Sequence, residues 1–166
     1  MSRSTARAST ASAITAVDPS AEARENALRL GATEAYTPEE FERRVRGNPE
    51  QGPRRVLHLT SAKGSMGLAV RAVARLGVIA AVGTPDEDPV IIPEYYQMMI
   101  VKEATIVGCY SKSVDYWDKT IRLVEDGAIA VPDDTHTVEF GPQAAAHALQ
   151  LADRWPVRGR QYIRFA

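Results

Sequence analysis

Gly64 and Gly67 stand in a turn of small residues, Thr60 to Gly67, that follows the apolar run Val56, Leu57, His58, Leu59. A glycine-spaced turn between a strand and a helix can cradle phosphate, because free backbone N–H groups and the positive end of the helix dipole point at the ligand. On that reading Gly64-Ser65-Met66-Gly67 is a pyrophosphate turn and Val78 to Val82 is the next strand. Asp86 or Glu87 is then the ribose carboxylate, at the spacing of about 20 residues that dinucleotide sites use. Two features oppose it. The turn lacks one of the usual glycines and is preceded by Lys63, and the earlier segment AITAVDPS is left without a role.

The other reactive side chains do not converge. His58, His136 and His147 fall on a predicted strand, a strand and a helix, where lone histidines serve packing or surface. None is expected to bind metal. The single Cys109 excludes a disulfide framework and a multi-cysteine zinc site within one chain. Tyr110, Lys112 and Tyr116 are proton donors in principle, but exposed Tyr and Lys are common, so no catalytic residue is assigned.

The elements that must position these groups alternate. Ala13 to Val17 reads as a strand ended by Asp18-Pro19-Ser20, with Asp18 available to cap the helix that Pro19 begins. Ala23, Ala27 and Leu30 share a face of that helix, which Gly31 closes. Glu34 to Tyr36 is a short element, and Thr37-Pro38-Glu39-Glu40 is a capping box before Phe41 and Val45. Met66, Val70, Val73 and Ala74 then repeat with helical period, Gly77 is expected to stop that helix, and Val78 to Val82 is apolar on both faces. Pro93 can start a short helix carrying Tyr95, Tyr96, Met98 and Met99. Ala104 to Tyr110 (ATIVGCY) reads as a strand, and the helix from about Val114 to Asp126 is expected to bury Trp117, Ile121 and Val124 before Gly127. Thr135 to Phe140 is a half-buried strand, Gly141-Pro142 opens an Ala-rich helix, and Arg160 to Phe165 closes the chain. Strands alternating with helices predict α/β with a parallel sheet.

Composition bounds the function. The 166 residues suit one domain with a real core, and a formal charge of −1 gives no bulk attraction to nucleic acid or membrane. No apolar run approaches the roughly 20 residues of a membrane span. A cytoplasmic protein is expected. Residues 1–12 (MSRSTARASTAS) are expected to be disordered or the remnant of a helix end.

The order of these pieces resembles the coenzyme-binding half of the medium-chain, zinc-type alcohol dehydrogenase family. AITAVDPSAEARENALRLGATEAY resembles that family's second strand, acidic turn, helix and third strand. VLHLTSAKGSMGLAVRAVARLGVIAAVGTP resembles its fourth strand, helix and fifth strand, and KEATIVGCYSKSVDYWDKTIRLVEDGAI its sixth strand and last long helix. HTVEFGPQAAAHALQLADRWPVRGRQYIRF resembles the closing segment that returns to the catalytic domain. The resemblance implies an incomplete Rossmann-like doubly wound sheet over residues 13–130, with a closing segment over 131–166. It implies that Asp18 binds the adenosine ribose hydroxyls, favouring NAD over NADP because a carboxylate repels a 2′-phosphate. Thr60, Ser61, Val82, Gly83 and Thr84 would lie toward the nicotinamide, or else are simply a turn and a buried strand end. Ala104 to Tyr110 would be a dimer edge.

The family's catalytic domain with its zinc ligands, its first strand and its pyrophosphate turn have no counterpart here, so zinc is not expected in this chain. In the strand order 3-2-1-4-5-6 the missing strand is central, and its loss leaves backbone unpaired. Direct pairing of the flanking strands, a complementary chain, or a truncated product would each account for that. Val138, Phe140, Tyr162, Ile163 and Phe165 would need a new partner or be exposed. Two functions follow: an NAD-dependent oxidoreductase polypeptide that needs a complementary chain, or a non-catalytic module that dimerises.

Overall fold

The computed structural model describes residues 13–47, 52–84, 90–92, 94–110, 114–129, 135–152 and 160–165. The first unit is β1 (Thr15–Val17), α1 (Ala21–Arg29), β2 (Glu34–Tyr36) and α2 (Pro38–Gly47). Its helix starts are set by short polar side chains. Ser20, rather than Asp18, is the N-cap of α1, its Oγ accepting the Ala23 N–H at 3.3 Å. Before α2, Glu40 Oε2 accepts the Thr37 N–H at 2.8 Å while Thr37 Oγ1 accepts the Glu40 N–H at 3.2 Å. This is the reciprocal capping box the sequence predicts. The Thr37 backbone bond is also what holds the Glu40 carboxyl below the usual range.

The second unit is β3 (Arg55–His58), α3 (Ser65–Ala72), β4 (Val78–Ala81), a π-helix (Tyr96–Val101) and β5 (Thr105–Gly108). The Pro93 start of that short helix lies outside the described residues. α4 (Val114–Glu125), β6 (Thr135–Glu139), α5 (Pro142–Ala152) and β7 (Arg160–Arg164) complete the chain. Every strand pair is parallel, so the fold is α/β and Rossmann-like, as expected. The strands form separate sheets, β1-β2, β3-β4-β5 and β6-β7. Among the described strands β1 does not pair with β3, so the direct pairing of these flanking strands is not formed. Val17 and Leu57 on the flanking strands, and Leu59 just past β3, are exposed.

The core forms where α3 lies on β3-β4-β5. Val70, Val73 and Ile79 are fully buried, with Met66, Val56 and Ile106 packed against them. The apolar period of residues 66–74 thus does face the sheet. The helix itself ends earlier than expected, at Ala72 rather than before Gly77. At this end the Ala74 N–H turns to the Pro53 carbonyl at 3.0 Å, and Lys102 Nζ donates to the carbonyls of Val70 (3.2 Å), Arg71 (2.7 Å) and Val73 (2.9 Å). An ammonium on the last carbonyls satisfies acceptors that have no partner within the helix and complements its dipole. Gly77 is instead required by close packing. A Cβ there would sit 2.5 Å from Val73 Cγ2 and 2.7 Å from the Ala74 carbonyl oxygen. Between α2 and α3, Glu42 Oε1 accepts from Arg46 at 3.0 Å and from Arg71 at 2.9 Å, and Val45 is buried beside them.

Two burial expectations fail. β4 is covered on one face only, leaving Val78 and Val82 exposed while Ile79 is buried. Trp117, Ile121 and Val124 of α4 are exposed, Trp117 by 64%, because no described element packs over that stripe. In the closing segment Phe140, Tyr162, Ile163 and Phe165 are exposed, as expected of residues lacking a partner, although the Phe140 and Phe165 rings stack at 4.7 Å.

Replacing Lys102 by Met removes a charge-assisted bond to three carbonyls. It is expected to cost about 2 kcal/mol of stability in urea unfolding. An unchanged denaturation midpoint would show that water caps α3 equally well.

Candidate functional site

Parallel strands place their carboxyl ends on one edge, and open α/β sheets bind ligands there. All six candidate residues follow strands at that edge: Asp18 after β1, Thr60 and Ser61 after β3, and Val82, Gly83 and Thr84 after β4. The structure gathers them in two groups.

Thr60, Val82 and Gly83 meet directly. The β3–β4 ladder continues past the strands, with the Val82 and Gly83 N–H groups donating to the His58 carbonyl at 2.9 and 3.0 Å. Gly83 lies so close to Thr60 that an added Cβ would stand 2.8 Å from both the Thr60 nitrogen and its carbonyl carbon. A glycine is needed here for backbone approach, not for a positive φ. Thr60 Oγ1 accepts the Ala62 N–H at 3.1 Å, which shapes the turn. Ser61 and Thr84 are exposed.

Asp18 stands in the other sheet, half-buried. Its N–H donates to the Tyr36 carbonyl at 3.1 Å, fixing it to the end of the β1–β2 ladder. Its Oδ1 accepts the Ser20 N–H at 2.8 Å, while Arg24 donates to the Asp18 and Pro19 carbonyls at 2.7 and 2.8 Å. The carboxylate is therefore oriented by the start of α1, with Oδ2 uncommitted among the described residues. No hydrogen bond among the described residues joins Asp18 to the β3–β4 group.

The competing phosphate cradle fares less well. Gly64 is the left-handed N-cap of α3, but the Ser65 N–H that would face a phosphate is spent on the Ala62 carbonyl at 3.2 Å. Gly67 is buried within the helix. Asp86, Glu87 and Lys112 lie outside the described residues. Tyr110 and Tyr116 are exposed, on the end of β5 and on α4.

Sequence reasoning missed the part played by His58. It is 6% exposed, with Nε2 2.8 Å from Ser65 Oγ, and Nδ1 has no hydrogen-bond partner among the described residues. Burial pushes its pKa below the ordinary imidazole value, against a smaller opposing pull from its own backbone. The signal was a histidine inside an apolar run with a serine at the following helix start. Among the described residues no three His, Cys, Asp or Glu side chains converge to hold a metal ion.

The family model described as zinc-binding dehydrogenase matches residues 1–126. The chain belongs to that family. Solved structures agree in fold. Benzyl alcohol dehydrogenase from Acinetobacter calcoaceticus superposes with a TM-score of 0.77 at 22% identity, over 94% of this chain and 43% of that one. An alcohol dehydrogenase from Thermotoga maritima gives 0.76 at 15% identity, over 93% and 44%. An alcohol dehydrogenase from Thermus sp. ATN1 gives 0.74 at 25% identity, over 93% and 46%. The chain thus spans less than half the length of these structures. A comparison with curated proteins gave no match. Family and fold together bear out the resemblance to the coenzyme-binding part of zinc-type alcohol dehydrogenases.

Because the folded His58 binds its proton less readily than the unfolded one, the unfolded state takes up more protons below the ordinary imidazole pKa of about 6.5. The stability from keeping this ring neutral is complete above that pH. It is lost as pH falls toward the depressed folded value. Urea midpoints measured from pH 8 to pH 5 are expected to fall over this range in the wild type and to fall less in His58→Gln. Parallel profiles would exclude His58 as the source.

Proposed function

We propose that this chain is the coenzyme-binding part of an NAD-dependent oxidoreductase, with residues 13–130 forming the coenzyme unit and 131–166 a closing segment. The observation that carries the reading is Asp18. It lies at the carboxyl end of β1, held by the Ser20 N–H, with one carboxylate oxygen left to accept from a ribose hydroxyl. Arg24 is occupied by two backbone carbonyls and so offers no ready partner for a 2′-phosphate. Both features favour NAD over NADP. Thr60, Ser61, Val82, Gly83 and Thr84 line the edge on which the nicotinamide would rest, where Gly83 lets the backbone approach Thr60 closely. A bound nicotinamide supplies a hydride acceptor or donor.

The described residues fit the ribose and nicotinamide ends better than the pyrophosphate, for which they offer no free cradle. They also supply no cluster for zinc and no assigned group for the substrate oxygen. We therefore assign turnover to an assembly in which a complementary chain, or further segment, pairs between β1 and β3 and brings a zinc site. The cytoplasm is the proposed location, and no described helix is long and apolar enough to cross a membrane.

NADH fluorescence titration tests the assignment. Asp18→Ala is expected to weaken NADH at least about tenfold, the loss of a charge-assisted bond, and to narrow the preference over NADPH. Equal affinity of the two proteins would remove Asp18 from the site.

The second reading is a dimerising module, and β5 favours it. This strand ends the β3-β4-β5 sheet, with Val107 exposed. An open edge pairs readily with a twin strand. We propose a homodimer through residues 104–110. Val107→Lys is expected to shift the sedimentation coefficient to that of a monomer, whereas a wild-type monomer at all concentrations would eliminate this interface.

A further inference from the structure

We propose that His58 is the positioning residue of the strand-end group, carrying its ring proton on Nε2 and holding both the turn after β3 and the exit of β4 in place. The inference rests on the coenzyme reading for its functional meaning, but its geometry is independent of it.

The proton assignment follows from Ser65. Ser65 Oγ donates its one proton to the Ala62 carbonyl at 2.5 Å, so toward His58 it can only accept. With Nε2 and Oγ 2.8 Å apart, Nε2 must then be the donor. A neutral ring in this tautomer leaves Nδ1 as a bare acceptor, in keeping with the absence of any partner for it among the described residues. A second proton would charge a buried ring and give Nδ1–H no hydrogen-bond partner among the described residues, with only a smaller favourable pull from its own backbone. Burial accordingly holds the ring's pKa down.

The positioning follows from what this one residue ties together. Its carbonyl accepts the N–H groups of both Val82 and Gly83, which aligns residues 82–84 beyond the end of β4. Its ring holds Ser65, the first residue of α3, and through Ser65 the Ala62 carbonyl within the turn. Ala62 in turn donates its N–H to Thr60 Oγ1. Thr60 and Gly83, which touch each other, are thus fixed from opposite sides of His58. A side chain of similar bulk without an Nε2-type donor would fill the space but release Ser65. The turn could then move while the β3–β4 ladder remained. Glutamine places an amide N–H near the position of Nε2 and should restore the link.

The test uses the full chain, labelled with 15N. Long-range ring spectra are expected to show the Nε2–H tautomer at neutral pH. His58→Leu should move the amide resonances of residues 60–65 and 82–84 and weaken NADH about tenfold, with His58→Gln returning both to within about threefold. Ser65→Ala should reproduce the His58→Leu effects on the turn and provides the same readout if His58→Leu fails to fold. An Nδ1–H ring, unmoved amides in both His58→Leu and Ser65→Ala, or identical behaviour of the Leu and Gln variants would each overturn the proposal. If the wild type binds no NADH the coenzyme reading fails, and the tautomer and the amide shifts still decide the positioning role.

Discussion

The structure depends on one packing event, the burial of α3 against β3-β4-β5. Val70, Val73 and Ile79 are fully buried, and they belong to α3, to the residue that closes it and to β4. Complete burial of such a side chain contributes about 1.5–3 kcal/mol, so this contact outweighs any single polar link nearby. Burial alone does not set where the helix begins and ends. That is done by polar groups at its two termini, Ser65 with His58 at the start and Lys102 at the end. Because the same start carries the turn beside Gly83, the anchoring of the core and the shape of the candidate site are one problem.

The link to the β1–β2 unit is of a different kind. Glu42 bridges Arg46 and Arg71 across α2 and α3, and Val45 is buried at the same seam. Partly exposed ion pairs contribute little, on the order of 1 kcal/mol or less. The hydrogen-bonded ladder that would join the two sheets is absent between β1 and β3. Asp18 and the β3–β4 group are consequently held on separate supports. A ligand bridging them, or a strand inserted between them, would add the rigidity that the helix seam lacks. Each half of the proposed coenzyme site is thus held by its own local bonds, and among the described residues no hydrogen bond joins the two.

The exposed apolar surfaces follow the same logic. Val78, Val82 and Val107 lie on the face of the sheet away from α3, and α4 carries Trp117 and Ile121 exposed, with no described element packed over them. Amphipathic periodicity encodes a face that is able to bury, not the surface that buries it. The expectation of a buried α4 stripe failed on that distinction, whereas the period of residues 66–74 succeeded because the sheet beneath it is present.

The sequence by itself determined the order and boundaries of most elements, since these follow from local chemistry. The Thr37–Glu40 box, the glycines past α1 and α4, and the apolar runs of β3 and β4 act over a few residues and are readable without a partner. The family was legible for the same reason, as pieces in a characteristic order. Only the tertiary structure decided where α3 stops, because Lys102 is far away in the chain and its carbonyl partners are not encoded near it. It also decided that Ser20 rather than Asp18 caps α1, which leaves one Asp18 oxygen uncommitted among the described residues. His58 was visible as a residue but not as a link, because a histidine's partners depend on which turn folds back beside it. β1 and β3, which do not pair with each other, show the limit most clearly: strand propensity is local, but pairing requires a neighbour.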